Sequence, residues 1–237
     1  MLSRRPASRI AVTCLLALLA LAASAAYAGG ADGGARAYVV KVRGMINEAF
    51  AEAAKRKINT AIDRGAEMVI LELDTPGGTV TASTELGDFI FTREEVRIVA
   101  FINTRAWSGG TLVALACDDI YIQSRLGKMG DVAPINAQGK MMPEKFQAPL
   151  RETMGNYAQA RGYPVPLVDS MVSDQIEVYR IRRGPEAAWE YLTGDQWDSM
   201  DEAEREEVTE RELIVPAGQL LTLSATEAVE HGFAAVC

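Results

Sequence analysis

Two glycine-rich turns carry the residue types that acyl-transfer chemistry needs. The first, residues 73–78 (LDTPGG), follows an apolar run, and the second, residues 104–110 (TRAWSGG), contains Ser108. Adjacent glycines let the backbone turn sharply and present N–H groups to a developing oxyanion. A serine that opens a helix lies among free N–H groups at the positive end of the helix dipole. Either turn alone is common, but both in this order at strand ends predict a serine nucleophile beside an oxyanion site.

The base for this serine is predicted to be a lysine. The only histidine of the sequence, His231, is expected at the surface. A lysine can accept the serine proton if burial favours its neutral amine. Three lysines follow the serine, Lys128, Lys140 and Lys145, and we choose Lys145 for its apolar setting. Glu144 could oppose this by stabilising the ammonium, although adjacent helix residues point about 100° apart. The apolar neighbours of the chosen lysine are Met141, Met142, Pro143 and Phe146.

Alternating strands and helices are predicted to position the two turns. Apolar runs predict strands over residues 38–46, 68–73, 97–102 and 120–122. Helical spacing predicts a helix from Asn47 to Gly65 and others over residues 80–92, from Ser108 onward, and over residues 143–161. The run at residues 68–73 is typical of a parallel strand covered on both faces. The alternation predicts an α/β fold with a mostly parallel sheet built from right-handed crossovers.

Four segments in one order resemble a known family. Residues 71–78 (LELDTPGG) precede residues 105–111 (RAWSGGT), a lysine-bearing helix between residues 144 and 162, and residues 220–228 (LLTLSATEA). This order and spacing resemble the ClpP-class membrane-bound serine proteases of the NfeD type, which belong to the wider Clp/crotonase fold. The resemblance covers roughly the part of the chain between residues 38 and 235.

The resemblance implies a Clp/crotonase-like fold, a repeated β-β-α superhelix with a mostly parallel sheet. It implies Ser108 as nucleophile, Lys145 as base, and Gly78 and Gly109 as oxyanion donors, and the residue spacing indicates the same four. The activity it implies is that of a serine endopeptidase, which cleaves exposed, apolar protein segments through an acyl-enzyme. No metal or other cofactor is expected. The expected partners are a protein or peptide substrate, further copies of the chain, and a membrane-associated protein.

The sequence departs from the family pattern in three places. Trp107 and Gly109 differ from the residues expected beside the serine. Ala133 and Pro134 stand where many relatives have His-Pro, so the histidine-based triad of Clp subunits is excluded. Relatives often continue into transmembrane helices and a small β-barrel, whereas this sequence stops at Cys237. We expect either a short soluble version or a truncated sequence.

The first 28 residues have the order of a secretory signal peptide. Arginines precede an apolar run over residues 10–23, and a small-x-small pattern at residues 26–28 predicts cleavage after Ala28. The alternative is an uncleaved membrane anchor, for which the apolar run is short. Residues 29–36 are predicted to form a flexible leader, and residues 37–237 the protease domain. The mature chain is expected to be exported to the periplasm or another extracytoplasmic compartment.

Composition excludes several functional classes. The chain is 49% hydrophobic, which is enough for one substantial core. Its net charge is −8 and no basic patch offsets it, so a nucleic acid partner is not expected. There is no glycine-rich phosphate loop ending in Gly-Lys-Ser/Thr, so no ATPase activity is expected. Signal cleavage would leave only two cysteines, too few for a disulfide scaffold.

Two other functions remain open. A crotonase-like acyl-CoA enzyme would use the same fold and oxyanion glycines, but export and the lack of a glutamate pair near the turns disfavour it. A catalytically inactive scaffold or partner-binding protein is the other alternative. It is favoured by the altered nucleophile motif and by residues 185–210, which hold ten acidic residues and one arginine. That acidic segment is predicted to be a solvated loop or surface helix.

Overall fold

The computed structural model describes residues 36–237 of the 237-residue chain. The predicted signal peptide and all but the last residue of the predicted leader lie outside the described residues. Cleavage after Ala28 and the flexibility of the leader therefore stay predictions.

A parallel sheet forms the centre of the fold. Its main strands run in the spatial order β1-β2-β3-β4-β10, and each pairs with its neighbour in parallel. The strands are β1 (Ala37–Arg43), β2 (Met68–Thr75), β3 (Arg97–Trp107), β4 (Asp119–Ile122) and β10 (Ala235–Val236). The predicted α/β class with a mostly parallel sheet is confirmed.

Helices connect successive strands and cover one face of this sheet. They are α1 (Glu48–Asp63), α2 (Val80–Phe91), α3 (Gly109–Ala116), α4 (Glu144–Arg161) and α5 (Val165–Val172). The predicted start of α1 is confirmed, because the Asn47 side chain accepts a hydrogen bond from the N–H of Phe50 at 2.9 Å. The end of α4 is also as predicted, since Gly162 adopts a left-handed conformation there.

The other face of the sheet is open within residues 36–237. Along β2 the side chains alternate, so that Val69, Leu71 and Leu73 are buried whereas Ile70 and Glu72 are only partly covered. The expectation that this strand is covered on both faces is therefore wrong for the described part of the chain. The alternation follows from the two-residue period of a strand, which turns successive side chains to opposite faces.

A short strand joins the end of β3 to the C-terminal part of the chain. This strand is β5 (Lys128–Gly130), and it pairs in parallel with the end of β3. On its other side it pairs antiparallel with β9 (Thr222–Ser224). The helix α8 (Ala225–Glu230) follows β9, whereas β5 lies next to β3. It extends the sheet beside residue Trp107 and so supports the segment that leads into α3.

The acidic segment is more ordered than the sequence indicates. A second, antiparallel sheet has the order β7-β6-β8 and contains β6 (Val178–Arg182), β7 (Glu190–Thr193) and β8 (Glu210–Val215). Between β7 and β8 lie the short helices α6 (Gly194–Ser199) and α7 (Glu202–Glu206). Arginines of β6 and the turn after it pair with the acidic residues, as in Arg183 with Glu207 at 3.0 Å. The prediction of a loop or surface helix therefore missed β7, because charge pattern alone does not reveal pairing with a distant strand.

Within the described range, no helix combines the length and apolar character needed to cross a membrane. Cys117 is buried and Cys237 is exposed, and the two form no disulfide with each other in the described part of the chain.

Candidate active site

Ser108 occupies a sharp turn between β3 and α3. Its backbone has φ +52° and ψ −123°, a left-handed conformation that strains a residue with a side chain. Its N–H donates to the carbonyl of Gly130 at 3.0 Å, which ties the turn to β5. Its hydroxyl caps no helix and makes no hydrogen bond within residues 36–237. A strand-to-helix turn of this kind projects a serine hydroxyl away from the backbone.

Thr111 fixes this turn from inside the core. Its side chain is fully buried in the first turn of α3. The Thr111 hydroxyl donates to the carbonyl of Ala106 at 2.5 Å and accepts from the N–H of Gly130 at 2.8 Å. One hydroxyl therefore joins the end of β3, the start of α3 and β5. These three elements are the ones that position Ser108.

The second glycine turn lies directly against Ser108. Thr75, at the end of β2, is buried, and its hydroxyl donates to the carbonyl of Gly44 at 2.6 Å and accepts from the N–H of Gly77 at 3.0 Å. Gly77 has φ +100°, and a methyl group added there would lie 2.6 Å from Cβ of Ser108. Glycine is required at this position both for the conformation and for the close approach of the two turns.

Gly78 has no room for a side chain. A Cβ atom added to it would lie 1.8 Å from the carbonyl oxygen of Ile46. The backbone is held there by two hydrogen bonds, from the N–H of Ile46 to the carbonyl of Gly77 and from the N–H of Thr79 to the carbonyl of Ile46, both 2.9 Å long. Neither bond uses the N–H of Gly78.

The N–H groups of Gly78 and Gly109 lie close together and are unpaired. A Cβ added to Gly109 would be 3.5 Å from the nitrogen of Gly78. Neither N–H donates a hydrogen bond to another group of residues 36–237. Gly109 is the first residue of α3, where N–H groups have no partner in their own helix. Two free donors this close together are able to bind a negatively charged oxygen.

A largely apolar cleft of about 400 Å³ opens in front of these groups. Its polar floor contains Ser108, Gly78, Gly109 and Ser83, which lies on α2. Its walls are mostly apolar and come from several elements: Met45, Val80, Leu112, Val132, Ala133, Pro134, Ile135 and Leu150. The lining fits an apolar side chain of a bound segment rather than a charged one.

Lys145 is not brought into this cleft. It lies in the first turn of α4, where its side chain is exposed, and its ammonium nitrogen is 5.0 Å from the centre of the Phe146 ring. Glu144 pairs instead with Arg151 on the same helix, and this pairing lowers the pKa of the Glu144 carboxyl. The expected apolar burial of Lys145 is therefore not found, because its apolar sequence neighbours do not enclose it. Lys128 and Lys140 are exposed as well.

The expectation that His231 lies at the surface is wrong. Its side chain is buried at the end of α8, and its Nδ1 atom lies 2.8 Å from the hydroxyl of Tyr191. Burial lowers the pKa of the imidazole, so the neutral form is favoured. His231 does not line the cleft of Ser108. Its burial depends on Tyr191, forty residues earlier in the chain, which no local pattern reveals.

Three hydroxyl residues of the site were missed by sequence reasoning. Thr75 and Thr111 hold the two turns, and Ser83 lines the cleft. The available signal was their proximity to the glycines, since each lies within five residues of Gly78 or Gly109. Proximity in sequence does not distinguish a buried hydroxyl from an exposed one.

Known proteins match both the sequence and this geometry. A family model described as NfeD1b, N-terminal domain, matches residues 36–206. The chain belongs to this family. It is similar to the membrane protein NfeD1b of Bacillus subtilis (strain 168), with 29% identity over 196 residues. That similarity covers 83% of this chain but 37% of the relative, so the chain spans little more than a third of the relative's length.

Solved structures share the fold. A lysine-to-alanine variant of the 1510-N membrane-bound stomatin-specific protease, in complex with a substrate peptide, has a TM-score of 0.61 and 19% identity, covering 86% of this chain and 75% of that one. ClpP1 from Listeria monocytogenes has a TM-score of 0.53 and 15% identity, covering 84% and 89%. The predicted family resemblance and the ClpP-like fold are confirmed. The roles of Ser108, Lys145, Gly78 and Gly109 remain predictions.

Proposed function

We propose that this chain is a serine endopeptidase that cleaves exposed, apolar segments of other proteins. The observation that carries the proposal is the strained turn of Ser108, which faces the free N–H groups of Gly78 and Gly109 in an apolar cleft. A buried structural turn needs neither a strained serine nor two unused donors. Nucleophilic attack with oxyanion stabilisation uses an accessible serine hydroxyl beside unpaired donors, and the strained turn supplies that placement.

The proposed reaction begins when Ser108 Oγ attacks the carbonyl carbon of the scissile peptide bond. Its proton passes to the base, and the carbonyl oxygen becomes an oxyanion held by the N–H groups of Gly78 and Gly109. The base returns the proton to the departing amine, and the C–N bond breaks to leave an acyl-enzyme. Water, activated by the same base, then hydrolyses the ester and restores the serine.

Lys145 remains the proposed base. The helix that bears it, α4, also supplies Leu150 to the cleft wall, so its first turns lie at the edge of the site. We propose that the segment leading into α4 moves inward with bound substrate and brings the amine to Ser108. Removal of water from the lysine by the substrate would favour its neutral form. The 1510-N protease, which shares this fold, has been solved as a lysine-to-alanine and as a serine-to-alanine variant.

Family membership favours a peptidase over the acyl-CoA alternative. An inactive scaffold is the second candidate function, because no base contacts Ser108 within residues 36–237. Cleavage of unfolded protein or apolar peptides separates the two functions. We expect turnover by the wild-type chain and none by Ser108→Ala. Equal turnover in the two proteins would exclude Ser108 as nucleophile, and none in either would favour the scaffold.

We further propose that the chain is exported and forms homo-oligomers near a membrane. The N-terminal sequence pattern and the relative's name as a membrane protein support export and membrane association. Exposed apolar side chains at the cleft rim, Met45 and Ile135, support association between copies. N-terminal sequencing of exported protein should begin after Ala28, whereas recovery of Met1 in the membrane fraction would indicate an anchor. A monomeric mass by light scattering at micromolar concentration would contradict oligomer formation.

A further inference from the structure

Ser83 is a buried residue whose hydroxyl has no structural use in the fold. Its side chain is 1% exposed, and its Oγ makes no hydrogen bond within residues 36–237. A buried hydroxyl without a partner is unfavourable, because it loses hydrogen bonds to water and gains none. Alanine would occupy nearly the same space and is a better helix former. The hydroxyl at this position therefore needs an explanation outside the packing of the helix.

Several other helical hydroxyls within residues 36–237 are bonded to their own backbone. Those of Thr60, Thr92 and Ser199 donate to the carbonyl four residues earlier, at 2.7 to 2.8 Å. This is the ordinary arrangement for serine and threonine within or at the end of a helix. The backbone N–H of Ser83 donates normally to the carbonyl of Thr79 at 3.0 Å, but its hydroxyl does not bond back. Its side chain is directed elsewhere.

The Ser83 hydroxyl lies against Gly109, one of the two proposed oxyanion donors. Ser83 lies five residues after Gly78, on the face of α2 that packs against α3, and it lines the cleft of Ser108. A Cβ added to Gly109 would lie 2.0 Å from Ser83 Oγ and 3.5 Å from the nitrogen of Gly78. The hydroxyl and a free backbone donor therefore border the same small volume beside Gly109.

We propose that Ser83 is a further catalytic residue, whose hydroxyl donates a third hydrogen bond to the oxyanion. This inference rests on the proposed peptidase function. In the transition state the carbonyl oxygen gains negative charge and can accept from the N–H groups of Gly78 and Gly109 and from Ser83 Oγ. The hydroxyl keeps its proton throughout. Its contribution is larger in the transition state than with bound substrate, because the carbonyl oxygen gains negative charge only as the attack proceeds.

The test is Ser83→Ala, compared with wild type and with Ser170→Ala. Ser170 is a matched control, since it is a fully buried helical serine that does not line the cleft and whose hydroxyl donates to the carbonyl of Leu167 at 2.8 Å. Three quantities are measured on each full chain: kcat and KM for an apolar peptide, the melting temperature, and the inhibition constant of a matching peptide aldehyde. Ser108 Oγ adds to the aldehyde carbon, so that the aldehyde oxygen occupies the oxyanion site.

Ser83→Ala should lower kcat by roughly 10- to 100-fold with little change in KM, and weaken aldehyde inhibition by a similar factor. Its melting temperature should be unchanged or higher, because the hydroxyl removed has no partner in the fold. Ser170→Ala should show the opposite result, a lower melting temperature with near-normal aldehyde inhibition. A Ser83→Ala enzyme with kcat and aldehyde inhibition within about twofold of wild type would overturn the inference. A lower melting temperature with unchanged aldehyde inhibition would also overturn it, by showing a structural role.

The wild-type measurement separates this inference from the proposed function. If wild type cleaves the peptide and Ser83→Ala does so equally well, only the role of Ser83 fails. If folded wild type neither cleaves the peptide nor is inhibited by the aldehyde, the peptidase function fails, and the role of Ser83 fails with it.

Discussion

The two halves of the candidate site differ in how firmly the fold holds them. The turns that carry Ser108 and Gly78 are fixed by the buried hydroxyls of Thr75 and Thr111 and by backbone contacts that exclude any side chain at Gly78. Lys145 lies on an exposed helical turn, and the adjacent glutamate pairs with an arginine of the same helix rather than with this lysine. Under the proposed mechanism, the nucleophile and the oxyanion donors would be preorganised and the base would be delivered by a less constrained segment.

Apart from loss of Ser108 itself, the largest effects are expected at the less constrained half, because loss of the base stops proton transfer. Lys145→Ala and Lys145→Arg should each lower kcat by roughly 10²- to 10⁴-fold, the usual contribution of general acid–base catalysis. The arginine variant keeps the positive charge but cannot release its proton at any working pH. Steady-state cleavage of an apolar peptide measures both variants.

Lys128→Ala and Lys140→Ala are the matched controls for this prediction, since both lysines are exposed and follow the serine. Both variants should keep most of the wild-type turnover. Activity retained in Lys145→Arg and lost in Lys140→Ala would assign the base to the other lysine.

A single methyl group added at Gly78 should disrupt the preorganised half of the site. Gly78→Ala places Cβ 1.8 Å from the carbonyl oxygen of Ile46, so the backbone must shift. We expect a loss of about 1–3 kcal/mol in the free energy of unfolding and a loss of kcat of at least roughly 10²-fold. Denaturant unfolding and peptide cleavage measure the two effects.

Gly155→Ala is the control for this change. Gly155 lies within α4, and a Cβ there would make only an ordinary contact of 3.8 Å with Val165. The variant should be more stable by about 0.5–1 kcal/mol, because alanine is the better helix former. Normal stability and activity in Gly78→Ala would mean that the turn is adaptable, and the contrast between the two halves would not hold.

A moderate effect is expected at Thr111, which joins the elements around the serine. Thr111→Val keeps the shape of the side chain but leaves the carbonyl of Ala106 and the N–H of Gly130 without their partner. The free energy of unfolding should fall by about 1–3 kcal/mol. The kcat should fall by roughly 10- to 100-fold because the serine turn is less well fixed.

Thr60→Val is a suitable comparison, since the exposed hydroxyl of Thr60 also bonds a backbone carbonyl, that of Arg56 at 2.8 Å. Its free energy of unfolding should change by no more than about 0.5 kcal/mol. If both threonine variants kept wild-type kcat, Thr111 would stabilise the core without positioning Ser108.

The sequence predicts the half of the site that depends on local backbone chemistry. Glycine pairs at strand ends and the cap at Asn47 act within a few residues, so the turns and the start of α1 could be placed in advance. The end of β3 could not be predicted in this way. Residues 103–107 are mostly polar or mixed, and they continue the strand because Ala106 and Trp107 pair with β5, which lies more than twenty residues later.

Long-range contacts explain the remaining errors. The sequence neighbours of Lys145 are apolar, but burial depends on what packs against a helix turn from elsewhere in the fold, and within residues 36–237 that side chain is exposed. His231 shows the reverse case, since the sequence predicts a surface position and a distant tyrosine packs against it. Ser83 could not be assigned to the site from the sequence, because only the packing of α2 against α3 brings its hydroxyl next to Gly109.

The smallest expected effect concerns pH and His231, away from the cleft. Burial lowers its pKa in the folded chain, whereas the unfolded chain titrates near the reference value of about 6.5. Unfolded protein therefore binds the proton more readily as the pH falls. The contribution of the neutral His231 imidazole to the free energy of unfolding is fully present above about pH 6.5 and decreases as the pH falls below that value.

The loss of stability between about pH 7.5 and about pH 5.5 should be smaller in His231→Gln than in wild type, because glutamine does not titrate. Denaturant midpoints at the two pH values measure this difference. Equal losses in the two proteins would show that other groups determine the pH dependence. Peptide cleavage by His231→Gln at pH 7.5 should be near normal, which would separate this residue from catalysis.

The most direct test of the central claim is covalent labelling by a serine-directed fluorophosphonate, with the modified residue identified by mass spectrometry. The preorganised half of the site predicts modification of Ser108 in the wild-type chain, loss of labelling in Ser108→Ala, and slower labelling in Lys145→Arg. Folded wild-type protein that stays unlabelled, or that is labelled at a residue other than Ser108, would contradict the account.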